Sequence, residues 1–268
     1  MLKIRIMSVA VALPLLLAAM FLLPNSWWIS VLTVPVLIAG HEWSRLGGFS
    51  AGAEGVFLAI LTAGYAMANG IVSFPGVFPD FSPGLAERCV YAFSTAFWCV
   101  IAPCWLWLRV RVSRHFVLAI AGVVVLLPMW LALAKLQQDA RLLLVLLAVV
   151  WIADTAAYFA GRATGRHKLA PAISPGKTWE GVGGAFAAVA VYALCVYHAH
   201  IVAIELHIVV LSFLGMTGLS IVGDLLESWI KRIAGVKDSG SIMPGHGGLL
   251  DRMDGVTGAL PLAALIFI

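Results

Sequence analysis

Long apolar runs recur along the whole chain and limit its fold more than any other feature. They cover approximately 6–23, 27–41, 55–73, 90–108, 116–134, 142–160, 181–198, 204–229 and 255 onward. A helix needs about 20 consecutive, mostly apolar residues to cross the hydrocarbon core of a bilayer. Within lipid only helices and closed barrels satisfy their own backbone groups, and these runs lack the period-two alternation of barrel strands. The expected fold is an all-α integral membrane protein, a polytopic bundle of about nine transmembrane helices. The composition agrees: 62% of residues are hydrophobic, 11% are charged, and the mean hydropathy is +1.01. The second run is short and could borrow from His41–Leu46. The eighth is long enough to continue past the bilayer. The first follows Lys3 and Arg5 without a small-residue cleavage site behind it, so it reads as a retained span.

Basic residues set the orientation, because Lys and Arg accumulate in cytoplasmic loops. With the N-terminus cytoplasmic, fourteen of the 17 Lys and Arg residues fall on inner segments; Arg88, Lys135 and Arg141 fall outside. The four cysteines, Cys89, Cys99, Cys104 and Cys195, have no metal-ligand spacing and read as small packing residues. No internal repeat is evident, which weighs against the inverted-repeat plans of many transporters. The chain reads as one membrane-embedded domain, 1–268. Residues 1–141 carry few distinctive groups, and 142–268 carry the chemistry.

Acids at membrane depth are costly and normally face a protein interior or a wet cavity. Asp154 lies in "VVWIADTAAYFAGR"; Asp224 and Glu227 lie in "LSIVGDLLESWIKR". Helical spacing puts Asp154, Tyr158 and Gly161 on one face, and Asp224, Glu227, Ser228 and Lys231 on another. Asp251 and Asp254 are three residues apart and would project together from a helix. Each acid alone could be an internal salt bridge. As a group, at one membrane face, they repel one another unless a cation lies between them, and Mg²⁺ with oxygen ligands suits that need.

Two segments rich in Gly, Pro, Lys and Arg adjoin these acids: Gly161–Glu180 and Lys231–Asp254. "SPGKTWEG" (Ser174–Gly181) resembles the end of a phosphate-binding P-loop, but Pro171 stands where that loop needs a glycine, which excludes a P-loop NTPase. Its chemistry remains useful. Gly176 lets backbone amides approach an anion, Lys177 brings charge, Ser174 and Thr178 bring hydroxyls, and a helix starting there would favour phosphate. The bland alternative is an ordinary basic loop. In the second segment Lys231, Arg232, Lys237 and Arg252 supply positive charge, and Gly247 and Gly248 allow tight turns. His246 could donate to phosphate, although a lone loop histidine more often serves local hydrogen bonding.

"ESWIKRIAGVKDSGSIMPGHGGLLDRMDG" (Glu227–Gly255) closely resembles the signature of the phosphatidate cytidylyltransferases, also called CDP-diacylglycerol synthases. The likeness rests on Ser228, Lys231-Arg232, Lys237-Asp238, Pro244, His246-Gly247-Gly248, Asp251-Arg252 and Asp254. Asp154–Gly181 resembles that family's other characteristic block. The resemblance implies transfer of a cytidylyl group from CTP to phosphatidic acid, giving CDP-diacylglycerol and pyrophosphate for phospholipid synthesis, with Mg²⁺ as cofactor. It implies a homodimer in the bacterial inner membrane with its active site on the cytoplasmic side. The expected catalytic residues are Asp224, Lys231, Arg232, Asp251, Arg252 and Asp254. The expected metal ligands are Asp224, Asp251, Asp254 and, more weakly, Glu227. Asp154, Tyr158, Ser174, Lys177, Thr178, Lys237, His246, Gly247 and Gly248 are the expected substrate-binding residues. Two other classes compete. One is nucleotidyl or phosphoryl transfer to another membrane lipid of prenyl or polyprenol type. The other is an ion-coupled transporter, which would thread polar residues across the full bilayer depth; here they crowd near one face.

Overall fold

A computed structural model describes residues 2–68, 83–112, 114–242 and 247–268. The described helices are α1 (Leu2–Leu22), α2 (Asn25–Leu46), α3 (Ala51–Ala68), α4 (Pro83–Ala96), α5 (Ala102–Leu108), α6 (His115–Leu136), α7 (Ala140–Thr164), α8 (Trp179–His198), α9 (Leu206–Ile233) and α10 (Leu250–Phe267). A π-helical turn, Phe97–Ile101, joins α4 to α5 just ahead of Pro103, whose ring nitrogen has no hydrogen to donate. Among the described residues four stretches are long and apolar enough to cross a membrane: Gly84–Leu108, His115–Thr164, Trp179–His198 and Leu206–Ile233. The second is divided at Gln137–Asp139, where extended Asp139 caps α7 by accepting from the amides of Arg141 and Leu142. This is a predominantly helical membrane protein.

Each expected apolar run falls on helix, although the run 55–73 is described only to Ala68. The run 27–41 does extend through His41–Leu46 as part of α2. The expected loop Gly161–Glu180 differs more. Its first residues continue α7. Lys168–Ala170 (β1) and Ser174–Thr178 (β2) then form an antiparallel hairpin. The hairpin is held by its contacts: Ile173 is buried at the turn, the Trp179 amide donates to the His167 carbonyl, and His167 pairs with Glu180 at 2.7 Å. Thr178 then caps α8 by accepting from the Gly181 amide.

α7 packs most extensively on α8, and α9 on α10. The second seam places the acids. A Cβ at Gly223 would collide with the Asp254 carbonyl, and one at Gly258 with the Leu219 carbonyl, so both glycines allow near backbone contact. Asp224 thereby lies beside Asp254. Gly223→Leu is expected to push the two helices apart, lowering thermal stability in detergent and activity together.

Candidate active site

The C-terminal parts of α7 and α9 meet the N-terminal parts of α8 and α10 at one end of the bundle. Between them, with the hairpin as a further wall, lies a cavity of about 670 Å³. α7 contributes Asp154, Tyr158 and Arg162. β2 contributes Ser174, Lys177 and Thr178. α9 contributes Asp224, Ser228, Lys231 and Arg232; α10 contributes Asp251, Arg252 and Asp254; the segment between them contributes Lys237 and Asp238. Residues up to 208 positions apart in sequence support this wall, so the arrangement depends on tertiary packing.

The charges are strongly mixed. Lys177 Nζ lies 2.6 Å from Asp224 Oδ2. Lys231 Nζ lies between two carboxylates, donating to Glu227 Oε2 at 3.0 Å and to Asp251 Oδ1. Arg162 donates to the Tyr158 hydroxyl, and Arg232 to the carbonyls of Ile173 and Val236. Asp154 and Asp254 each lie close enough to Asp224 for their charges to repel. These contacts leave a surface with cations and acids side by side. Such a surface suits a polyphosphate accompanied by a metal ion.

Most expected site residues converge here. Asp154, Tyr158, Ser174, Lys177, Thr178, Asp224, Lys231, Arg232, Lys237, Asp251, Arg252 and Asp254 all line the cavity. Gly247 and Gly248 are not part of the lining: the Gly248 amide donates to Asp251 Oδ2 and Gly247 lies against the same carboxylate, while His246 lies outside the described residues. Glu227 is buried behind the lining, 4% exposed, with Lys231 as its partner.

The expected four-carboxylate metal cage is not gathered: among the described residues no three or more acidic, histidine or cysteine side chains are grouped to hold an ion. Asp251 departs most clearly from its expected part. Its Oδ2 accepts from the amides of Ser239 and Gly248, and its Oδ1 accepts from Lys231, so the carboxylate anchors the chain around it. The chemistry of the other lining acids still suits a magnesium ion held jointly with substrate. Asp154, Asp224 and Asp254 bring hard oxygen donors whose mutual repulsion a cation would relieve. Among the described residues the buried Glu227 Oε1 has no hydrogen-bond partner. Mg²⁺ commonly takes one or two carboxylates and completes its shell with water and substrate phosphates, so a closed protein cage is not required.

Sequence reasoning missed Glu42. This α2 residue is 2% exposed and accepts from Ser239 Oγ, the Leu249 amide and the Leu250 amide at 2.8–3.0 Å. Its only sequence cue was an acid at the end of an apolar run, and nearby Arg45 offered a plausible local partner.

A model of the cytidylyltransferase family matches residues 3–268. The chain belongs to the cytidylyltransferase family. It is 34% identical to the phosphatidate cytidylyltransferase of Pseudomonas aeruginosa over 280 aligned positions, covering 99% of this chain and 97% of that one. The phosphatidate cytidylyltransferase of Brucella suis is 52% identical over 126 residues, covering 46% of this chain and 44% of the relative. That of Haemophilus influenzae is 43% identical over 131 residues, 47% and 45% of the two chains. Membership in the cytidylyltransferase family accords with a cavity that mixes phosphate-seeking cations with metal-seeking acids.

Proposed function

We propose that the protein transfers a cytidylyl group from CTP to phosphatidic acid, giving CDP-diacylglycerol and pyrophosphate. The observation that carries this reading is the cavity of paired acids and bases at one end of the apolar helices, in a chain of this family. A water-soluble nucleotide and a bilayer-held phosphate can both reach such a place.

In the reaction an oxygen of the lipid phosphate attacks the α-phosphorus of CTP. A new P–O bond forms, the bond between the α-phosphorus and its bridging oxygen breaks, and pyrophosphate leaves with that electron pair. The nucleophile is already ionised at neutral pH, so no strong general base is needed. The barrier lies in bringing two anions together and stabilising charge on the leaving group, which is work for positioning and electrostatics. Lys177, Arg232, Lys237 and Arg252 bind phosphate oxygens. Lys231 holds Asp251 in place and faces the same cavity. Asp224 and Asp254 would hold Mg²⁺, with Asp154 beside it; when bound the ion neutralises phosphate charge and supports departure of pyrophosphate. Substrate binding frees Lys177 from Asp224, releasing a cation for phosphate and an acid for the metal.

The catalytic groups belong to 142–268. The charge pattern of the loops supports an N-terminus and an active site on the cytoplasmic side of the bacterial inner membrane. Gly183, Ala187 and Val191 are exposed along one face of α8, within the small-residue run Gly183–Ala193, and this face would receive a second copy in a homodimer. Native mass spectrometry from detergent would read its mass.

The direct test uses purified protein in detergent, labelled CTP, Mg²⁺ and a panel of acceptors. Phosphatidic acid should yield labelled CDP-diacylglycerol; polyprenyl phosphates and lipid alcohols should not. Transfer to one of those acceptors instead would overturn the substrate assignment. Lys177→Ala should raise the KM for CTP about tenfold, the scale of losing one charge-assisted hydrogen bond. An unchanged KM and rate would remove the hairpin from the phosphate site.

A further inference from the structure

The segment that leads into the cavity wall is held by a residue from the part of the chain without evident chemistry. α10 begins at Leu250, and its first amides have no partners within the helix. The preceding residue, Leu249, has no side-chain oxygen with which to cap them. Glu42 supplies the missing acceptors from α2: Oε1 accepts from the Leu249 amide at 3.0 Å, and Oε2 from the Leu250 amide at 2.8 Å. Oε2 also accepts from Ser239 Oγ at 2.9 Å. One carboxylate therefore holds two points of the segment joining α9 to α10. The fit is close on every side. Cβ atoms at Gly240 and Gly248 would both run into the Glu42 carboxylate. Asp251 ties the same residues from the other side, through the amides of Ser239 and Gly248. Ser239 thus bridges Glu42 and Asp251, and Asp251 in turn bonds Lys231 in the cavity wall.

We propose that Glu42 is a positioning residue for cytidylyl transfer: its carboxylate fixes the start of α10 and the turn at Ser239, and so sets the angle at which Arg252 and Asp254 enter the cavity. It touches neither substrate. This inference rests on the cytidylyl-transfer reading for its kinetic consequence, while its structural core stands apart from it. A negative charge at a helix N-terminus is favourable, and here it is buried and wholly engaged by donors. Glu42→Gln keeps the size but turns one acceptor into an NH₂ group facing donors. Glu42→Asp keeps the charge but retracts it by one methylene.

The test combines kinetics with amide hydrogen exchange on the full-length protein in detergent. For Glu42→Gln, kcat should fall about tenfold or more, as expected when a buried charged acceptor is lost. KM for CTP should rise several-fold. Exchange should accelerate at Leu249 and Leu250 while α6 and α7 stay protected. Glu42→Asp should recover part of both kinetic constants. Ser239→Ala removes only one of the three donors and should give a smaller loss of the same kind, so the idea can be tested even if Glu42→Gln fails to fold. A purely structural role would lower the active fraction and loosen all helices, leaving KM unchanged; that outcome overturns the proposal. Unchanged exchange at Leu249 and Leu250 in both variants also overturns it. Failure of the parent protein to turn over CTP with phosphatidic acid would instead overturn the functional reading, and the exchange measurement would still decide the role of Glu42.

Discussion

Lys231→Met is expected to destabilise the protein by about 3–5 kcal/mol, the usual cost of removing one partner from a buried ion pair. The side chains of Glu227 and Asp251 are 4% and 5% exposed, and Lys231 bonds both. Without the ammonium two carboxylates would remain buried with insufficient compensation. Methionine fills a similar volume, so the loss would reflect charge rather than a void. Thermal unfolding in detergent measures the first effect, and turnover should fall below detection alongside it. The double variant Lys231→Met/Glu227→Gln removes one of the stranded charges and should recover part of the stability without recovering turnover. Equal unfolding temperatures for the parent and Lys231→Met would show that the pair does not carry this energy.

Asp254→Asn should separate the two properties. Turnover is expected to drop about 10²–10³-fold, the scale seen when one preorganised electrostatic group is removed from a reaction site. Stability should stay level or rise, because burial first, and then the neighbouring Asp224 and Asp154 carboxylates, disfavour a charge at this position. The amide can keep the contact from the Gly255 amide, since its oxygen still accepts. Measuring kcat and thermal unfolding on the same preparation decides the matter. A less stable variant with normal turnover would make Asp254 a packing residue and empty the metal assignment.

The sequence was most readable where one physical rule left little choice. Lipid forces helices on apolar runs, so α6 to α9 were foreseeable from hydropathy alone. The convergence of Asp154, Lys177 and Asp224 followed from acids at membrane depth beside basic, glycine-rich segments. The β1–β2 hairpin was not foreseeable in the same way. Pro171, Pro175 and Gly176 read locally as loop, and the buried Ile173 that anchors the turn has no periodic signal around it. Asp251 misled for a related reason. Its spacing from Asp254 suggested shared ligation, yet side-chain direction is settled by Lys231, Ser239 and Gly248, which only the folded chain brings to it. Glu42 was hidden by distance: its donors lie 197 to 208 residues away.

The ion pair between Lys177 and Asp224 has a consequence for selectivity. Before any substrate arrives, the pocket is its own counterion. A lone inorganic anion must evict an aspartate to win the lysine, and a lone cation must do the reverse, so each meets opposition from a partner already in place. A nucleotide carrying its metal brings both signs at once and can exchange with both halves of the pair. Simple salts of the surrounding water are thereby disfavoured at this pair, relative to a ligand that arrives already neutralised in part.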